Sequence, residues 1–152
     1  MSDSMEGEPV TPSKTPIHLW VVGTLALLWN SMGAVDYLMT ETHNEEWLSP
    51  LNPEQMEFLV QLPAWVIGCW ATAVWGSVLA SGLLLAKNRR AVSVFLVSLV
   101  TLIAVRVHMY VLSDGLHVFG EPQFLILNGI IFTGAVCLYF YSRAMRERGV
   151  LR

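Results

Sequence analysis

Residues 63–112 read PAWVIGCWATAVWGSVLASGLLLAKNRRAVSVFLVSLVTLIAVRVHMYVL, two apolar runs, 63–86 and 91–112, divided by Lys87, Asn88, Arg89 and Arg90. Arg106 is the only Lys, Arg, Asp or Glu inside either run. A helix rises ~1.5 Å per residue, so each run is long enough to cross a hydrocarbon core of ~30 Å. Lipid offers no partner for backbone N–H and C=O groups, and a single chain segment can satisfy its own only as a helix. The stretch therefore predicts two membrane-spanning helices joined by a basic turn.

Two further runs, 17–38 and 123–142, meet the same criterion on either side of this hairpin. The fold class expected is all-α, an integral membrane four-helix transmembrane bundle. Hydrophobic residues make up 54% of the chain and charged residues 14%, which is too apolar for an ordinary soluble domain. The expected partner is the lipid bilayer, and no nucleic-acid partner is expected, because the basic clusters are short and juxtamembrane.

The charges sort by side. Lys14 precedes the first run, Lys87, Arg89 and Arg90 separate the second from the third, and Arg143, Arg146, Arg148 and Arg152 follow the fourth. The other two loops, 39–62 and 113–122, carry Glu41, Glu45, Glu46, Glu54, Glu57, Asp114 and Glu121 with no Lys or Arg. The positive-inside rule places both termini in the cytoplasm, with a bacterial inner membrane as the expected location. Residues 1–16 read as a disordered cytoplasmic tail, and residues 143–152 as a basic cytoplasmic tail. Asp3, Glu6 and Glu8 outweigh Lys14 ahead of the first run, whereas the start of a signal peptide is positive, so that run is expected to remain as a span. Thr15 and Pro16 form an expected N-cap and first-turn pair.

Within the long acidic loop, Asn52, Pro53, Glu54 and Gln55 spell a capping box that opens a short helix over residues 53–61. Met56, Leu59 and Val60 give it one apolar face. It is too short to span, so it is expected to lie at the membrane surface or to cover the bundle mouth. Ala73, Gly76, Ser77, Ala80 and Ser81 in the second run, and Gly129 and Thr133 in the fourth, are small residues that favour close helix packing, within the chain or against a second copy. Cys69 and Cys137 differ in depth by ~12 Å at helical rise, which argues against a mutual disulfide and for buried packing roles.

Polar residues within the spans concentrate in the acidic half. Arg106 lies ~9 Å below the acidic end of its run, where an unpaired guanidinium costs somewhat less than the ~2.5 kcal/mol or more that even the lenient insertion scale gives at the helix centre. Asp36 is the expected partner, with Asp114 second. Asn30, Tyr110 and Asn128 reach similar depths, so Asn30, Asp36, Arg106, Tyr110 and Asn128 form the candidate ligand-binding set. A mixture of one cation, one anion and amides suits a sugar-like or zwitterionic solute, held in a polar cavity beneath the 53–61 helix.

No cofactor and no metal are expected. His18 and His108 lie at opposite ends of the membrane, which rules out a shared haem. His43 and His117 lie among the acidic loops without zinc or EF-hand spacing. Phosphate-loop, dinucleotide, nucleophile-elbow and His-Glu-x-x-His patterns are missing from the sequence, so an enzyme is not expected.

The stretch WNSMGAVDYLMT at 29–40, together with Pro63, Ala64 and Trp65 and with Leu112, Ser113, Asp114 and Gly115, resembles a group of small bacterial four-span membrane proteins often labelled sugar transporters. The resemblance runs from about residue 17 to 142 and implies the same span count and a small polar solute. It carries over no functional residues. The alternative function is that of a non-catalytic accessory or membrane-organising subunit of a larger complex, in which the polar residues only lock the bundle. Reporter fusions at Glu46 and after Arg152 are expected to report opposite sides of the membrane; the same side from both would overturn the four-span topology.

Overall fold

A computed structural model describes residues 15–152, all helix and connecting turns without a strand. The expected tail over residues 1–16 lies, apart from Thr15 and Pro16, outside the described residues. The first span is α1 (Ile17–Glu41). Two short helices follow on the acidic side, α2 (Glu45–Leu48) and α3 (Pro53–Val60). The second span is α4 (Ala64–Leu85), and the third is α5 (Arg90–Val107), which runs on into a π-helical turn at His108–Leu112. After a single turn, α6 (Gly115–Val118), the fourth span α7 occupies Pro122–Glu147. At 25, 22, 23 and 26 residues, counting the π-helical turn with α5, all four are long and apolar enough to cross a bilayer. The protein is a four-helix membrane bundle.

Packing is serial: α1 lies on α4, α4 on α5, and α5 on α7. The small residues of α4 set this order, since Ala73, Ala80 and Ser81 are buried between its neighbours. Ser98 Oγ of α5 occupies the place a Cβ on Gly76 would take, so the two backbones approach closely there. The corresponding small residues of α7 are not used in this way, because Gly129 and Thr133 are exposed within the single chain. Cys137 also faces outward, on the lipid side of α7, rather than being buried as expected, and both cysteines are free thiols.

The main apolar cluster sits at the basic end. It gathers Leu19 of α1, Ala80 and Leu84 of α4, Ala91, Val92 and Phe95 of α5 and Met145 of α7. His18 Nδ1 and the Tyr141 hydroxyl, 2.6 Å apart, join the first span to the last at this end. The only buried residues of α7, Ser142 and Met145, are here too. The helix continues past the expected boundary at residue 142 to Glu147, with Arg143 Nε donating to Glu147 Oε1 at 2.9 Å. Beyond it Gly149 takes φ 70°, a left-handed turn suited to glycine, and buried Val150 and Leu151 return to the cluster. At the start of α1, Pro16 itself holds the cap position with no side-chain cap, so Thr15 does not act as the expected N-cap.

Loops close the acidic end. The capping box of α3 forms as its sequence requires, with Gln55 N donating to Asn52 Oδ1 at 2.9 Å and Asn52 N to Gln55 Oε1 at 3.1 Å. Gln55 is buried and also donates through Nε2 to the Val118 carbonyl at 3.2 Å. Phe119 packs edge-on against Phe58 and Phe124, with ring centroids 5.7 and 5.4 Å apart. The short helix thus docks onto the second acidic loop, which ties the start of α4 to the start of α7. In α6, a Cβ on Gly115 would collide with the Met109 carbonyl and meet Phe58 Cζ at 3.2 Å. Gly115→Ala should therefore destabilise the fold by about 1–3 kcal/mol, read as a lower midpoint in detergent thermal denaturation, while Gly129→Ala on open α7 should change little.

Candidate functional site

The structure divides the five candidate residues among three separate settings. Asn30 faces α4, where its Nδ2 donates to Ser81 Oγ at 3.0 Å and lies 3.5 Å from the Ser77 carbonyl oxygen. The Ser81 hydroxyl in turn donates to the Ser77 carbonyl at 2.8 Å. This is a closed interhelical contact at a buried serine. Asp36 points elsewhere, accepting a hydrogen bond from Trp47 Nε1 at 3.1 Å, which fastens α2 back onto the acidic end of α1.

Arg106, Tyr110 and Asn128 belong to the third setting. Asn128 Nδ2 of α7 donates to the Tyr110 hydroxyl at 2.7 Å, which fixes the phenol between the third and fourth spans. Tyr110 follows Arg106 by four residues on the same helical segment. Arg106 lies on the face of α5 that carries Leu102 and Ser98, four and eight residues earlier, both of them buried. The face is interior, and the Nε end of the guanidinium is buried with it.

The expected pairing of Arg106 with Asp36 or Asp114 does not form. Among the described residues the ion pairs are His117 with Glu54 and Arg143 with Glu147, both solvent-exposed. Asp36 is taken by Trp47. Asp114 would share a face with Arg106 only if the α-helix continued, and it does not: the turn widens at His108–Leu112 and ends at Ser113 in extended backbone. The Ser113 hydroxyl, 2.8 Å from the His108 carbonyl oxygen and 3.1 Å from that of Met109, satisfies groups that the wider turn leaves open. Asp114 is carried out to the exposed start of α6.

Arg106 Nε is buried and makes no hydrogen bond, and the same is true of His108 Nδ1 two residues later. The His108 ring stands edge-on to Trp65 at the start of α4, with centroids 5.1 Å apart. Neither His108 nor Trp65 belonged to the candidate set, although a histidine two residues from an intramembrane arginine was a visible signal. π-helical turns are rare and gather at functional sites. This one carries His108 and Tyr110 on the same short segment, adjacent to Arg106.

A cavity of about 130 Å³ does lie under α3, but on the other flank of α4. Thr40, Glu41 and His43 supply its polar lining, Leu48, Met56, Leu59, Val60, Ile67 and Trp70 its apolar lining, and none of the five candidate residues borders it. The acidic loops gather no group of three His, Cys, Asp or Glu side chains fit to hold a metal among the described residues.

The chain is thus a four-span helical membrane protein with an unpaired cation in its acidic half. No protein-family model matches it, and neither does any curated protein or solved structure. Arg106→Ala and Asp36→Ala should change detergent stability additively, within about 0.5 kcal/mol. Tyr110→Phe and Asn128→Leu should instead couple by about 0.6 kcal/mol, the usual size of an interhelical bond in a membrane. Coupling of Arg106 to Asp36 in such a double-mutant cycle would restore the ion pair and refute this arrangement.

Proposed function

We propose that this protein binds a small polar molecule bearing an anionic group, zwitterions included, in the acidic half of the bundle. The observation that carries the reading is selective neglect. Asn30, Asn128, Tyr110, Asp36 and His18 all have side-chain partners, whereas Arg106 Nε and His108 Nδ1 are buried with none. A bare guanidinium in a membrane is costly, and intramembrane ionisable groups mark ligand and ion pathways by default. An arriving carboxylate or phosphate would supply the missing acceptor, and charge-assisted hydrogen bonds to arginine are among the strongest available.

In this reading Arg106 holds the anion. His108 offers a second polar contact, Trp65 walls the site on the α4 side, and the Tyr110–Asn128 pair fixes its α7 side. Separation of Asp36 and Asn30 from Arg106 removes the carboxylate and the amide that favoured a sugar or the ammonium end of a zwitterion, so the ligand class moves toward the anionic group itself. By the positive-inside rule the site faces the outside of a bacterial inner membrane. The helix α3 covers a different cavity and is not a lid over this one.

Thermal stability of the purified protein should rise with one or more small zwitterions or carboxylates and not with neutral sugars. At a hundredfold excess over Kd the gain is about 2.7 kcal/mol, and Arg106→Gln should abolish it. If no such compound stabilises the wild type more than Arg106→Gln, the accessory-subunit reading takes its place.

A further inference from the structure

At the opposite end of the bundle the returning C-terminal segment builds a second feature, independent of Arg106. Arg89 N donates to the Arg152 carbonyl at 2.9 Å and Arg152 N to the Lys87 carbonyl at 2.8 Å, so residue 152 is clamped to the α4–α5 turn through its backbone. Val150 and Leu151, 6% and 4% exposed, anchor the segment from below. Lys87 adopts φ 56°, the left-handed conformation that lets the turn present its carbonyl to Arg152. Between turn and segment lies a cavity of about 250 Å³ lined by Thr15, Ala86, Lys87, Asn88, Val150 and Arg152.

Two of the lining residues, Lys87 and Arg152, are cationic and two, Thr15 and Asn88, are neutral and polar, and among the described residues no Asp or Glu lines the cavity. Asn88 Oδ1 already accepts from Arg90 N at 2.9 Å, so its amide nitrogen is the end left to donate. Lys87 follows the last turn of a membrane span, where lipid head groups lie. We infer that this cavity binds the phosphate of an anionic phospholipid from the leaflet facing the basic end of the bundle. A general attraction between basic loops and anionic lipid would draw on all the juxtamembrane bases alike. The cavity singles out Lys87 and Arg152, because Arg89, Arg90, Arg143, Arg146 and Arg148 do not line it and Arg143 is engaged by Glu147.

That difference supplies the test. Native mass spectrometry of the full chain in detergent would compare retention of phosphatidylglycerol, phosphatidylcholine and diacylglycerol. Lys87→Asn with Arg152→Gln keeps a residue tolerant of the left-handed turn at 87 and leaves Val150 and Leu151 in place. Losing both removes the charge-assisted hydrogen bonds that the cavity would offer a phosphate and should cut phosphatidylglycerol retention about tenfold or more. Arg89→Gln with Arg146→Gln removes the same charge outside the cavity and should leave retention near wild type, and both proteins should keep wild-type helicity by circular dichroism. Equal losses in the two double variants would overturn the proposal, as would retention of diacylglycerol equal to that of phosphatidylglycerol. Displacement of the lipid by millimolar inorganic phosphate alone would also overturn it, in favour of a soluble phosphate.

Discussion

A donor or acceptor without a partner costs several kcal/mol in hydrocarbon, and that cost organises this molecule from the backbone to the side chains. It forces the four apolar runs into helices, it sends Asn30 to a serine pair on α4 and Asn128 to a tyrosine on the π-helical turn, and it requires Ser113 to cover the carbonyls that the wider turn exposes. Against that background Arg106 and His108 stand out as places where the chain leaves the cost unmet. Tyr110, between them and α7, is held by Asn128 rather than by either side chain.

The two ends of the bundle are stabilised differently. Apolar burial dominates the basic end, where all four spans and the segment after Gly149 share one cluster. The acidic end relies on pieces: the Asp36–Trp47 bond, the Gln55 contact with Val118 and the trio of phenylalanines. Helices packed in series, with α7 buried only near its basic end, leave the acidic half the more open part of the assembly. The unpaired arginine lies in that half.

Most of the architecture was legible in the sequence because lipid imposes a length and a hydropathy on every span. The capping box was legible for a similar reason, since Asn52 and Gln55 act over three residues. The partners of Asp36 and Arg106 were not legible. Depth follows from counting residues, but azimuth depends on how helices pack, and the π-helical turn broke the count between Arg106 and Asp114. Gln55 showed only half of its role, because its bond to Val118 joins positions 63 residues apart. The returning segment at residues 149–152 was hidden because a basic stretch after a span reads as solvated, while Val150 and Leu151 needed the cluster above them to explain their burial.

The widened turn at His108–Leu112 also makes this part of the chain a phase device. An α-helix advances 100° per residue, so each residue between the third span and the second acidic loop fixes the rotation of everything beyond it. Deleting one residue from the turn would let the helix regularise and would swing Tyr110 away from α7, while Gly115 would no longer fall beneath the Met109 carbonyl. Substitutions here change one contact at a time, but a change in length would dephase the aromatic pair, the glycine contact and the start of α7 together. The segment should therefore accept new side chains far more readily than it accepts a gain or loss of a residue.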